Sequence, residues 1–316
     1  GGEFVNNGTL AITGGDTRVR NNDTLLTNNG VIELGNGTSG GNRDIRTESA
    51  RTRIVNEARG IIRSDSSGGT NDIRRQGGGN ATGNQQSFRN LGTIEVLQNN
   101  LQIGTPHNNF RFDSVDQTTL LEGTYRILSS TDTSRLDIRE GNVNGTGDPG
   151  SGDANQTNFD GTITTIAAPA TLVLSGTGAG SGPGAGAEFP QLGVIDTVDG
   201  WLNVHDDVDL PIAGNVALSG TLGGDGTYTP SGSTLAPDFG SGVIAPSGLD
   251  PSNNPIPWGV LTINGNFDLT DPGGTVELDV DGSTPGVNLD QIVVLGDVAL
   301  GGDLALNSTS LLEPDL

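Results

Sequence analysis

Short runs in which apolar and polar residues alternate recur along the chain, and most of them open on a glycine. Gly92-Thr93-Ile94-Glu95-Val96-Leu97 is representative. Alternation of period two is the signature of a half-buried strand, and a glycine permits the tight corner that precedes it. The same opening is seen at Gly8, Gly30, Gly60, Gly92, Gly123, Gly161, Gly193, Gly242, Gly259 and Gly274, with successive copies 15 to 49 residues apart and most near 30. Helix signals are nearly absent. The best helical window, Thr47–Ala58, is weakened by its β-branched and arginine content.

Many short strands at quasi-regular spacing narrow the architecture to a sandwich, a propeller or a solenoid. A sandwich needs large side chains on two broad inner faces. This chain is 4% aromatic and fills its apolar positions mostly with Val, Ile, Leu and Ala, which suits a core one or two side chains wide. The expectation is an all-β protein, a right-handed parallel β-helix (β-solenoid) with Gly/Asn-rich loops. At about 22 residues per turn and a strand spacing of roughly 4.8 Å, on the order of 14 turns would stack. Gly35–Asn42, Ser64–Gln86, Gly141–Asn158 and Ser175–Gly186 read as loops, the last a Gly-rich insertion.

Charge divides the chain. All 15 basic side chains are Arg, and Arg139 is the last; residues 1–139 also hold 15 acids, so the net charge of −23 comes from the rest. The expected organisation is a charge-balanced, Arg-containing solenoid region at 1–140 and an acidic region free of Lys and Arg at 141–316. Absence of Cys excludes disulfides and thiolate chemistry, and absence of Lys excludes isopeptide crosslinks and Schiff-base catalysis. The acidic region argues against nucleic acid or anionic lipid as a partner. No apolar run of about 18 residues is present, so membrane insertion by a helix is not expected. The Arg-rich segment Arg43–Arg75 reads as solvated ion pairs between turns, with Arg51 and Arg53 on one side of a strand.

The acidic clusters offer hard oxygen ligands of the kind Ca²⁺ prefers, and Asp206, Asp209, Asp279 and Asp281 are the candidate metal ligands. No EF-hand loop or calcium nonapeptide repeat is complete. Glu277, Asp279 and Asp281 alternate and would share one face of a strand, pointing to water. Asp206, Asp207 and Asp209, with His205 or His107, also form the carboxylate set a polysaccharide-active enzyme would use. A basic residue near the acids is missing from that half, and no catalytic residue is assigned. Trp201 and Trp258 are candidate sugar-stacking platforms or covers over a solenoid end.

Near the C-terminus the chain reads Gly242-Val-Ile-Ala-Pro-Ser-Gly, Gly259-Val-Leu-Thr-Ile-Asn-Gly-Asn-Phe-Asp-Leu, Gly274-Thr-Val-Glu-Leu-Asp-Val and Asp290-Gln-Ile-Val-Val-Leu-Gly-Asp-Val-Ala-Leu-Gly-Gly-Asp-Leu. This series, about 75 residues long, resembles the late passenger region of autotransporters. Asn28-Asn29-Gly30-Val31-Ile32 and Arg89-Asn90-Leu91-Gly92-Thr93-Ile94 are similar to turns of filamentous-haemagglutinin-like proteins. The resemblance implies a secreted β-helix, extracellular or on the bacterial cell surface. The membrane-anchoring barrel of that family has no counterpart in the sequence, and residues 100–240 match the pattern poorly.

These readings converge on a structural, non-enzymatic protein that associates with itself head to tail without covalent links. Gly1–Ile12 and Val298–Leu306 are strand-like, with no amphipathic cap beyond them unless Leu311–Leu316 folds over the end. The alternatives are a monomeric adhesin or passenger domain that binds glycan or a host surface, and a polysaccharide-active β-helix enzyme.

Overall fold

In this computed structural model the described residues are 2–20, 23–35, 42–48, 51–75, 86–104, 110–129, 133–138, 162–176, 186–247 and 258–308. Among them there is no helix, and the strand ladders are mostly parallel; Val115–Asp116 with Thr119–Leu120 is a short antiparallel pair. The chain forms two compact units, Gly1–Thr162 with Phe189–Gln191, and Ile163–Glu188 with Leu192–Leu316.

In the first unit the strands stack in three rows. One row runs Glu3–Asn6, Leu25–Asn28, Arg53–Asn56, Gln86–Asn90 and Phe110–Phe112. The second runs Thr9–Ile12, Val31–Leu34, the start of Ile61–Arg75, the start of Thr93–Ile103, and Thr124–Ser129. The third runs Gly15–Val19, Arg43–Thr47, the later parts of the same two long strands, and Ser134–Ile138. Each set of three successive strands is one layer. Parallel pairing without slip puts like on like: Leu10, Ile32, Ile62, Ile94 and Tyr125 form one column, and all but Leu10 are buried. Burial of each such side chain contributes roughly 1.5–3 kcal/mol.

The second unit repeats the pattern without arginine. One row runs Thr171–Gly176, Trp201–Asp206, Thr221–Gly223, Val243–Ala245, Thr275–Asp279 and Asp303–Asn307. Another runs Ile163–Ile166, Leu192–Val198, Asp209–Leu218, Thr227–Pro230, Val260–Ile263 and Gln291–Val294. A short third runs Thr234–Leu235, Asn266–Asp268 and Val298–Ala299.

Several expectations change. The described residues of the window Thr47–Ala58 hold no helix: Arg53–Asn56 is a strand, and Arg51 stands before it at φ 56°, so the two arginines do not share a strand. Ser64–Arg75 is part of a 15-residue strand and not a loop. Its polar residues bind one another at a corner between rows, where Asn71 Nδ2 donates to Leu34 O (3.1 Å) and Ser64 Oγ (2.9 Å). In the first unit layers are longer than 22 residues after the first, because Ile32, Ile62, Ile94 and Tyr125 lie about 30 apart, whereas Leu202, Leu222 and Ile244 of the second unit are 20 and 22 apart. The second row therefore has five described strands, and the first row of the second unit has six, fewer in all than the expected 14 turns. The division expected at 141–158 lies outside the described residues, as do His107, Arg139 and Leu311–Leu316.

The glycines of the sequence pattern form real columns. Gly8, Gly30, Gly60, Gly92 and Gly123 each precede a strand of the same row. A Cβ on Gly30 would run into the Gly8 carbonyl, one on Gly60 into the Asn28 carbonyl, and one on Gly92 into the Gly60 carbonyl. In the second unit the column is Gly200, Gly220, Gly242 and Gly274, which includes two glycines outside the sequence motif. Gly193 sits within the strand Leu192–Val198, and Gly259 opens a strand of a different row.

Candidate functional site

The four predicted metal ligands are dispersed. Asp206 ends the strand Trp201–Asp206 at φ 58° and accepts a hydrogen bond from Ser175 Oγ. Asp209 opens the next strand and accepts from Thr229 Oγ1 at 2.6 Å. Asp279 is the last residue of its strand, whereas Asp281 lies beyond it and accepts from Ser308 Oγ at 3.1 Å. The single acidic face expected of Glu277, Asp279 and Asp281 therefore ends at Asp279. Among the described residues no group of three or more His, Asp or Glu side chains is placed to hold a metal ion.

His205 is buried, and its Nδ1 lies 2.8 Å from Asp225 Oδ1. Burial raises the Asp225 pKa, but the hydrogen bond and charge of His205, with backbone N–H donors, outweigh it and leave the carboxyl below its ordinary value. Asp290, also buried, accepts N–H bonds from Gly259 (2.7 Å) and Asp279 (2.8 Å). Burial wins there, and its carboxyl is held above the ordinary range. These acids act as braces between strands. Trp201 is 43% exposed, and Trp258 is half-buried with its Nε1 enclosed and unpaired.

The polar interior of the first unit was not anticipated. Asn6, Asn28, Asn56 and Asn90 are buried in one column, and the Nδ2 of each of the first three donates to the Oδ1 of the next at 2.7 Å. The same amides donate to Val31 O, Ile61 O and Thr93 O at 3.0–3.1 Å, which ties one row to the next. After Asn90 the column passes to Ser114, whose Oγ accepts the Asn90 N–H at 2.8 Å. Stacked Phe88 and Phe112 (5.3 Å) and edge-on Tyr125 (6.3 Å) pack beside it, and burial pushes the Tyr125 hydroxyl far above its usual range. The sequence signal was the recurring Asn shortly before the column glycines up to Gly92, as in Asn6-Asn7-Gly8 and Asn28-Asn29-Gly30.

Charge is also laddered. In the third row Asp16, Asp44 and Asp72 form a column, with Arg18, Arg46 and Arg74 two residues further on. Arg46 reaches Asp44 of its own layer (2.5 Å) and Asp16 of the preceding one (2.8 Å). Arg74 likewise reaches Asp72 (3.2 Å) and Asp44 (3.1 Å). In the second row Glu33, Arg63, Glu95 and Arg126 alternate, with Arg63 between two carboxylates at 3.6 and 2.8 Å and Arg126 bound to Glu95.

The first and last described layers have a stacking neighbour on one side among the described residues. Among the described residues, Glu3–Asn6, Thr9–Ile12 and Gly15–Val19 each pair with a single strand, as do Gln291–Val294, Val298–Ala299 and Asp303–Asn307. Apolar side chains lie bare there. Leu304 shares a column with Val276 and Ile244, which are 6% and 1% exposed, yet Leu304 is 62% exposed. Leu300 is 79% exposed, and Phe4 is half exposed. An edge of this kind presents unpaired N–H and C=O groups as well as apolar surface. No protein-family model, curated protein or solved structure matches the chain.

Proposed function

We propose that each unit is a right-handed β-solenoid, its strand rows the sides of successive coils. On this reading the protein is an extracellular structural subunit, on or near the bacterial cell surface, that self-associates non-covalently through its open layers. The observation that carries the reading is the bare apolar column at Leu304, whose equivalents one and two layers away are buried. Supporting it are the like-on-like registers, the thin aliphatic core and the absence of Cys and Lys, which leaves hydrogen bonding and apolar contact to do the joining. The passenger-like C-terminal series supports the location. Heterologous contact between different surfaces of identical subunits gives open filaments when it does not close on itself.

Light scattering against concentration, with negative-stain electron microscopy, tests this. Growth into filaments is expected; a protein that stays monomeric at high concentration, with and without salt and Ca²⁺, overturns it. The exposure of Trp201 favours a second reading, a monomeric glycan-binding passenger domain. A glycan-array signal lost in Trp201→Ala would support that reading.

A further inference from the structure

Asparagine followed by glycine turns the corner between two rows at Asn29-Gly30 in the first unit and at Asn264-Gly265 in the second. Both corners lie in interior layers, with a stacked strand on either side. Both asparagines are exposed, and each side-chain amide reaches the preceding layer: Asn29 Nδ2 donates to Asn7 Oδ1 and Asn264 Nδ2 to Thr229 Oγ1, each at 3.1 Å. The glycine is imposed by packing. A Cβ on Gly30 would run into the Gly8 carbonyl, and one on Gly265 would lie 2.9 Å from Ser233 O and from Pro230 Cγ. Packing thus fixes a peptide nitrogen that no side chain screens, next to a thermolabile carboxamide.

The state of that nitrogen separates these two corners from others. Gly60 N donates to Glu57 O (2.7 Å), Gly92 N to Asn56 O (3.1 Å), Gly200 N to Ile166 O (3.0 Å), and Gly220 N to Val198 O (2.9 Å). Gly226 N, which follows Asp225, donates to Val204 O at 2.9 Å. Gly30 N and Gly265 N have no acceptor among the described residues. In the pair Asn7-Gly8 the glycine N–H is held by Asn6 Oδ1 at 3.3 Å, and Asn36-Gly37 and Asn144-Gly145 lie outside the described residues. An N–H bonded to a carbonyl must break that bond before it can give up its proton. A free one loses its proton to solvent base directly, which makes the nitrogen a nucleophile.

We propose that Asn29-Gly30 and Asn264-Gly265 are sites of spontaneous covalent modification in the folded protein. The deprotonated glycine nitrogen bonds to the asparagine Cγ, the Cγ–Nδ2 bond breaks, and the amide takes a proton from solvent and leaves as ammonia. Water then opens the cyclic imide. Opening at Cγ leaves aspartate; opening at the main-chain carbonyl leaves isoaspartate, whose backbone is one methylene longer. Either product removes the donor that reached the preceding layer. At position 264 the new carboxylate meets Thr229 Oγ1, whose own proton already goes to Asp209 at 2.6 Å, in a unit with no guanidinium to offset the added charge. At position 29 the extra methylene of isoaspartate falls where the preceding layer leaves Gly30 no room. The inference stands apart from the self-association reading.

Incubation of the full chain at mildly alkaline pH in water labelled with heavy oxygen, followed by digestion and mass spectrometry, tests this. A urea-unfolded sample run beside the native one supplies the rate of each site without the fold. Label is expected at positions 29 and 264 of the native protein at rates within about tenfold of the unfolded chain. Asp199-Gly200 and Asp225-Gly226 form the same imide but have bonded glycine nitrogens, so their native rates should fall more than about tenfold below their unfolded ones. Native protein that takes no label at 29 and 264 while the unfolded chain does overturns the proposal. Retention of the unfolded rate at 199 and 225 also overturns it, because the free nitrogen would then not be the cause. Asn29→Gln and Asn264→Gln, whose longer side chains close the ring poorly, should each lose label at their own site alone; label persisting there overturns the assignment. Asn264→Asp makes the acid product directly. Its urea midpoint, followed by tryptophan fluorescence, is expected to fall below that of the unmodified protein, and an unchanged midpoint overturns the consequence drawn for that site.

Discussion

The two units use the same stacked parallel rows but answer their buried and outward polar groups differently. In the first, carboxylates meet guanidiniums in the layers above and below, and an asparagine column runs through the interior. In the second, which has no arginine, carboxylates are met by hydroxyls and backbone N–H groups: Asp209 by Thr229, Asp268 by Thr270, and Asp290 by Gly259 and Asp279. Stacking identical layers in register sets like groups about 4.8 Å apart, which suits aliphatic and amide side chains but sets like charges against each other. Alternating the charge, or meeting each carboxylate with a hydroxyl, an imidazole or a backbone N–H, are two solutions to that one problem. Both couple neighbouring layers: Arg46 joins Asp44 to Asp16, and Asp209 accepts from Thr229 one layer on.

Breaking the asparagine column should separate the units most sharply. Asn56→Ala leaves Asn28 Nδ2 and Asn90 Oδ1 without their partners and frees Thr93 O. The expected loss is about 3–5 kcal/mol, confined to the first unit. Hydrogen exchange at Gly60 and Thr93 would report it, and because both tryptophans lie in the second unit, their fluorescence transition should stay in place. A matching shift in fluorescence would show that the two units unfold as one.

Glu95 sits between Arg63 and Arg126 in the middle of the alternating column and is nearly enclosed. Glu95→Gln should cost roughly 2–3 kcal/mol, again in the first unit, since buried guanidinium charge loses its counterion. Urea unfolding followed by hydrogen exchange measures this.

The glycine columns are where the units should behave alike. Gly92→Ala and Gly220→Ala each drive a methyl group into a backbone carbonyl of the preceding layer. Each should cost about 1–3 kcal/mol in its own unit. A harmless Gly220→Ala would mean that layers of the second unit can move apart where those of the first cannot.

The buried acids of the second unit give its stability an opposed pH dependence. Asp290 is raised in the folded state, so its contribution is fully present at acid pH and is lost as pH rises through that raised value. Asp225 is lowered, so its contribution is present above the ordinary aspartate range and is lost as pH falls through the lowered value. Asp290→Asn should remove the first effect and leave the second, flattening the fluorescence-detected stability on the alkaline side only. The smallest effect is expected at Arg51, which pairs with Asp23 in full exposure. Arg51→Ala should leave the melting temperature unchanged within error.

Much of the fold was legible from period-two alternation and the column glycines. Strand former after glycine located most rows, because a layered parallel fold needs both a flat strand and a corner without a Cβ. The corner at Ser64–Arg75 was misread, because hydrogen-bonded Ser and Asn in a bend look the same in sequence as Ser and Asn in a loop. Gly200 and Gly220 were passed over because Trp201 follows one and the second copy comes after only 20 residues. The candidate carboxylates were chosen by spacing along the chain, and spacing alone could not tell that Asp206 and Asp209 would turn to different layers.

The sequence by itself determined strand content, the thin aliphatic core, the charge division and the exclusion of Cys and Lys chemistry, since each is a property of residue type and local period. Only the tertiary structure decided which residues share a column. That choice rests on register across 20 to 35 residues of intervening chain, where one residue of slip would turn every side chain to the other face. The asparagine column and the Asp–Arg ladders both arise at that level, from contacts that exist only once the layers are stacked.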